Sequence, residues 1–320
     1  MKFILEKLHF AAYRRWLLYS SPRRAVILTL HRTTSGRVWE EQYNNQPEYL
    51  CRLFELMKQQ GFNFYSMDEI MSQKTLKQPA VSVVADDGFL DNLIEAVPIF
   101  RDMSIPYCIY ISAAVVLRED ITLEAMAQYM MKHSQWKCRG VKRGETPEED
   151  AEAFEKAINT VRNAETFQKI NKAKESFLEV NKTNLKEEMD VLYLNKEQVY
   201  KMTDDKLCTF GAHGYHHVQM SRLTERELIN DTKAAKSILE QITGKTVNHF
   251  AYPFGGFCDN YTREFKAVKA AGFSSGAMFW NGVVTEKFRE QGYMLPRIQV
   301  NPFKTPEENV QKYKEILRGI

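Results

Sequence analysis

Asp86 and Asp87 stand side by side ahead of Gly88 and close a short β-branched run that begins at Val81. Two like charges in contact are costly unless a cation or a shared proton relieves them. The pairing therefore points to a site where one carboxylate binds a metal and the other handles a proton. An ordinary turn accounts for Asp-Asp-Gly as well, since these residues favour turns. A second group tips the balance: His213 and His217, in His213-Gly-Tyr-His-His217, lie four residues apart. One helical turn puts both imidazoles on one side, the spacing of paired zinc ligands. Two imidazoles and one carboxylate make a three-ligand centre with open positions, the composition of a hydrolytic metal site. His216 either replaces His217 in that set or is merely exposed.

Such groups need rigid elements to position them. Val81, Val83 and Val84 read as a strand buried on both faces, the pattern of a parallel sheet covered by helices. In these folds catalytic side chains sit where strands end. His213 likewise follows a strand-like run, 207–212. Further strands are predicted at 25–30, 62–65, 105–112, 247–252, 273–280 and 294–300, and helices at 47–60, 91–103, 224–244 and 259–271. Ser66-x-x-Glu69, Thr146-x-x-Glu149, Thr224-x-x-Glu227 and Thr305-x-x-Glu308 have the spacing of capping boxes. Alternating strands and helices imply right-handed parallel crossovers. About seven such units suit a (β/α) barrel over 25–320, interrupted by a strand-free helical insertion at about 117–199.

At 320 residues with a net charge of +3, the chain can bury a full core and shows no basic bias towards nucleic acid. Cys51, Cys108, Cys138, Cys208 and Cys258 are odd in number and widely spaced. That argues against a disulfide framework or a thiolate zinc site and fits a reducing compartment. Residues 1–24 mix aromatic and basic side chains without a clean apolar core or cleavage site. They are expected to form an amphipathic helix, neither a signal peptide nor a spanning segment. Such a helix either lies on an anionic membrane or packs on its own domain.

Taken in order, Asp86-Asp87-Gly88, His213-x-x-x-His217 followed by Met220-Ser-Arg-Leu223, and Tyr252-Pro-Phe-Gly255 resemble the polysaccharide deacetylase family, the NodB-like carbohydrate esterases. The resemblance runs over about 25–301 apart from the insertion. It implies a deformed (β/α) barrel, a divalent metal, usually zinc, and hydrolysis of an N-acetyl group from an amino sugar. It further implies Asp87, His213 and His217 as metal ligands and Asp86 as general base. The backbone N–H of Phe254 takes the oxyanion-binding role. His31, at the end of the first strand, resembles the early histidine that serves as general acid in the poly-N-acetylglucosamine deacetylase branch. Alternatively it is a structural histidine in a loop. Ala85 replaces the family's usual aromatic, and Ala251 stands where an arginine normally braces the base; Arg297 is the candidate substitute. Tyr252 and Trp280 are candidates for stacking on a sugar face, although core packing is the commoner use of such rings.

The sequence thus leads us to expect a metal-dependent N-deacetylase. Its substrate would be an acetamido-sugar glycan or a lipid-linked saccharide precursor of a bacterial surface polysaccharide. The expected location is the cytoplasm, peripheral to the inner face of the membrane. The alternatives are a carbohydrate-binding protein with a degenerate site, and a metal-dependent hydrolase of O-acetyl esters or other amides.

Overall fold

Both faces of the Val81 run are covered. Every residue of Ala80–Ala85 is buried, as is every residue of Tyr107–Ile111, which suits their β-branched and aromatic content. The computed structural model describes residues 12, 13, 15–19, 22–182, 184, 186–255 and 261–319. Most of the expected N-terminal helix, Cys258 and the first residues of the 259–271 helix lie outside the described residues.

The strands are β1 (Arg23–Leu30), β2 (Asn63–Phe64), β3 (Ala80–Ala85), β4 (Tyr107–Ile111), β5 (Cys208–Ala212), β6 (His249–Ala251), β7 (Ser275–Ala277), β8 (Val284–Thr285) and β9 (Ile298–Gln299). From β7 through β6, β5, β4 and β3 to β1, neighbours pair in parallel. β9 adds in parallel to the far edge of β1, and a bridge between Ala277 and Leu295 brings the segment before β9 against β7. The sheet therefore curls round to its own first strand, which is the deformed (β/α) barrel expected above. Alternate residues part into two cores. Ala25, Ile27, Val84, Cys108 and Tyr110 fill the inside of the curl, while Val26, Leu28, Val81, Val83 and Ile109 pack outward under the helices. β8, which no sequence pattern announced, runs antiparallel to the start of β1.

The helices are α1 (Pro47–Gln59), α2 (Met67–Ser72), α3 (Val97–Asp102), α4 (Ala113–Val116), α5 (Leu123–Lys132), α6 (Pro147–Arg162), α7 (Phe167–Asn181), α8 (Lys186–Leu192), α9 (Lys196–Met202), α10 (Glu225–Thr243), α11 (Tyr261–Ala270), α12 (Glu286–Gln291) and α13 (Pro306–Arg318). Each of the four capping boxes forms, with side chain and backbone bonded reciprocally at the starts of α2, α6, α10 and α13. Between β4 and β5 the named elements are helices only, α4 to α9.

Residues 15–19 are helical and dock at the foot of the barrel. Leu17 is buried and its carbonyl accepts the Thr285 hydroxyl at 2.6 Å, and Thr285 pairs with the first residue of β1. Tyr13, Trp16 and Tyr19 remain exposed. No helix among the described residues is long and apolar enough to cross a membrane.

Candidate active site

Parallel strands deliver their C-terminal ends to one side of the barrel, and the chemistry-bearing side chains collect there. His31 follows β1, Asp86 and Asp87 follow β3, His213 and His217 follow β5, Tyr252 and Phe254 follow β6, and Arg297 precedes β9. All line one cavity of ≈ 240 Å³.

Asp86 still belongs to the ladder, its N–H bonded to the Leu30 carbonyl at 3.0 Å. Asp87 and Gly88 then turn the chain sharply, at φ 70° and 72°, a left-handed conformation that Asp tolerates better than most residues. That turn aims Asp87 Oδ1 at two imidazoles, 3.2 Å from His213 Nε2 and 3.0 Å from His217 Nε2. The geometry of the pair differs from the sequence expectation. Residues 213–217 form a loop, not a helical turn, because Gly214 and His217 have φ of 72° and 46°, incompatible with a helix. The Ala113 and Ala114 N–H groups at the start of α4 bond the Gly214 and Tyr215 carbonyls, while both oxygens of buried Asp231 receive the Tyr215 and His216 N–H groups at 2.9 and 3.1 Å. His216 is turned away, onto Asp120.

The donor set fits a cation. His213 Nδ1 lies 2.8 Å from the Ala251 carbonyl, which only accepts, so Nδ1 carries a proton. With Nδ1 protonated, the neutral form of this imidazole turns an Nε2 lone pair on Asp87 Oδ1, a buried oxygen that forms no hydrogen bond among the described residues. Facing lone pairs need positive charge between them. Burial opposes charge on His217, but the Asp87 carboxylate outweighs it and raises its pKa to about 9. Burial works against the Asp87 charge too, yet the two histidines hold its pKa well below the ordinary carboxylate value. The triad therefore calls for one cation, proton or metal. Its ligand atoms lie within 4.8 Å of one another. Bonds of ~2.0–2.1 Å in a tetrahedron would separate ligands by about 3.3 Å, close to what is observed.

Asp86 is buried and bonded to Arg297 Nη1 at 2.6 Å, and Arg297 Nε donates to the Met278 carbonyl at 2.9 Å. Burial alone would raise the Asp86 pKa, but Arg297, with His213 and His31, brings it below its usual value. Arg297 is thus the guanidinium bonded to Asp86. His31 Nε2 lies 3.9 Å from Asp86 Oδ2, and burial, against the pull of Asp87 and Asp86, lowers its pKa. The Phe254 N–H has no hydrogen-bond partner among the described residues, and its ring stacks on His217 at 4.9 Å.

One expectation needs correction. Trp280 does not line the cavity. Its ring packs on Phe288 at 5.4 Å and on the core. Phe279 faces the cavity instead, edge-on to His31 at 5.7 Å. Tyr252 forms part of the cavity wall, but its hydroxyl donates to the Tyr293 carbonyl and its ring packs on Phe250 and Phe265. It lies across Gly276, where a β-carbon would meet the phenol oxygen at 2.5 Å. Core packing therefore claims the Trp280 ring, while Tyr252 is part of the cavity wall. Trp39, Glu40, Tyr43, Glu124, Gln128 and Arg162 also line the cavity. They come from the loop after β1 and from the insertion, where no spacing or motif marks them.

Comparison with known proteins agrees with this geometry. The family model described as polysaccharide deacetylase matches residues 73–275, well over half of the chain. No curated protein matches the sequence significantly. Among solved structures, the Streptococcus pyogenes deacetylase PplD in complex with acetate superposes with a TM-score of 0.61 at 14% identity, covering 92% of this chain and 99% of that one. The putative polysaccharide deacetylase BA0330 from Bacillus anthracis gives 0.59 at 14% identity, over 91% and 69% of the two chains. IcaB from Ammonifex degensii gives 0.57 at 17% identity, over 90% and 97%. At these identities the likeness is one of fold.

Proposed function

The chain belongs to the polysaccharide deacetylase family, and on that premise we propose that it hydrolyses the N-acetyl group of an amino sugar, in a glycan or its lipid-linked precursor, with a divalent cation, zinc by the character of its ligands. The observation that carries the reading is Asp87 Oδ1 facing Nε2 of His213 and His217 at 3.2 and 3.0 Å, beside an Asp86 already paired with Arg297. A cation held by that triad would polarise the acetyl carbonyl and acidify a water.

The protein's own groups supply the rest. Arg297 keeps Asp86 ionised and oriented, so Asp86 can take the proton of the attacking water. The Phe254 N–H offers a donor to the oxyanion that develops as the carbonyl is attacked. His31, neutral and 3.9 Å from Asp86, can receive a proton and pass it to the departing amine. A carboxylate and an imidazole so placed cover both proton transfers of amide hydrolysis.

The test is acetate release by the zinc-loaded protein from N-acetylated and O-acetylated oligosaccharides. Release from the N-acetylated substrate is expected, with a ~10²–10⁴-fold loss in Asp86→Asn. Release from the O-acetylated substrate alone, or activity indifferent to Asp86, would overturn it. The same reading includes peripheral membrane contact through residues 1–24, supported by the exposed rings of Tyr13, Trp16 and Tyr19. Co-sedimentation with anionic vesicles that is lost in Trp16→Ala/Tyr19→Ala would support it; equal partition into buffer would not.

A further inference from the structure

Glu124 is the second residue of α5, in the helical insertion, and lines the same cavity as the metal-binding triad. Its Oε2 is buried with no hydrogen-bond donor among the described residues. Arg162, which lines the same cavity, is already engaged: its Nη2 bonds Glu40 at 3.2 Å and its Cζ lies 4.8 Å from the centre of the Trp39 ring. Glu124 is also close enough to the centre for its charge to be felt at His217, yet it is not among the three residues grouped as ligands. Gln128, one turn further along α5, lines the cavity as well. A buried carboxylate oxygen without a donor is costly, and the cost persists in native structures where a ligand brings the donor. Tyr43 and Phe279 bring aromatic rings to the same cavity. A carboxylate acceptor in a cavity that also holds aromatic rings matches the hydroxyl-bearing ring of a sugar.

We propose that Glu124 accepts hydrogen bonds from hydroxyl groups of the acetamido sugar, so that the insertion supplies a specificity-determining contact. The inference rests on the deacetylase reading above. Its test compares two acetyl donors on the zinc-loaded full chain: an N-acetylglucosamine pentamer, and an aryl acetate that has no sugar hydroxyls. In Glu124→Ala the ratio of kcat/KM for the pentamer to that for the aryl ester should fall ~10- to 100-fold, with the loss mainly in KM. Glu124→Gln, which keeps one carbonyl acceptor, should fall less. Equal losses on both substrates, or an unchanged ratio, would overturn the proposal. Calorimetric titration of the pentamer separates the two readings. A wild-type chain that binds it with an affinity weakened ~10-fold or more in Glu124→Ala, but releases no acetate, refutes the deacetylase reading and upholds the role of Glu124. Acetate release with selectivity and affinity indifferent to Glu124 does the reverse.

Discussion

Asp86 is ionised inside the protein because one guanidinium makes it so. The pair is almost wholly buried, and Arg297 divides its donors between Asp86 and the Met278 carbonyl. Removing the arginine strands a charge in the interior. Arg297→Met is expected to cost ~3–5 kcal/mol of stability, read by urea unfolding, and to abolish acetate release. Arg297→Lys restores the charge but offers a single ammonium to two acceptors, so it should fold better than Arg297→Met while recovering only part of the activity. An Arg297→Met protein as stable and active as the parent would show that Asp86 is held by something else. Asp86, Asp87, His213 and His217 were legible in the sequence because their types and short spacing already suggest metal and proton chemistry. Arg297 was legible only as a substitute for what Ala251 lacks. Glu124, Trp39 and Tyr43 were not legible, because side chains that converge on a cavity from separate loops share no periodicity. Trp280 misled because aromatic type alone cannot say which way a ring points.

The loop from His213 to His217 shows how an element can serve a purpose its sequence spacing misdescribes. Four-residue spacing suggests a helix, yet left-handed Gly214 and His217 fold the chain back on itself, and the imidazoles converge by that route. Gly214 is suited to the turn, and an added β-carbon would crowd Asp231 Oδ1 at 3.2 Å and Pro253 at 3.3 Å. Buried Asp231 on α10 braces the loop through the Tyr215 and His216 N–H groups, so it would act on the proposed metal site through the backbone. Asp231→Ala leaves two donors unmet and is expected to cost ~1–3 kcal/mol and to weaken zinc binding ~10-fold or more. Asp231→Asn turns an amide NH₂ towards one of those donors and should be intermediate. Competition with a chromogenic chelator measures the affinity; zinc binding unchanged in Asp231→Ala would reduce Asp231 to a core residue. The helices with capping boxes were placed closely by sequence, since a cap is a local bond. β8, at two residues, is too short for any alternation to register, whereas β9 falls within the strand expected at 294–300.

Across the molecule, the triad joins parts of the barrel that the chain keeps far apart. Asp87 leaves β3 and the histidines leave β5, with the whole helical insertion between them in sequence. The barrel itself was readable from its alternation of strands and helices, whereas its closure through β9 against β1 arises from tertiary pairing alone. A cation shared by the ends of β3 and β5, as proposed, would bind the folded chain and not the unfolded one. Zinc at a hundred times its dissociation constant should therefore add ~2.7 kcal/mol, a rise in Tm of about 5 °C for a chain of this size. Chelation should reverse the rise, and His213→Ala/His217→Ala should melt at the same temperature with or without zinc. The double variant also strips buried Asp87 of its imidazole partners, so it should melt below the chelated parent, and the zinc-dependent shift is the readout. Differential scanning fluorimetry at matched pH reads all four conditions. A zinc-dependent shift that survives in the double variant would place the cation elsewhere in the chain and dissolve the link between the two strand ends.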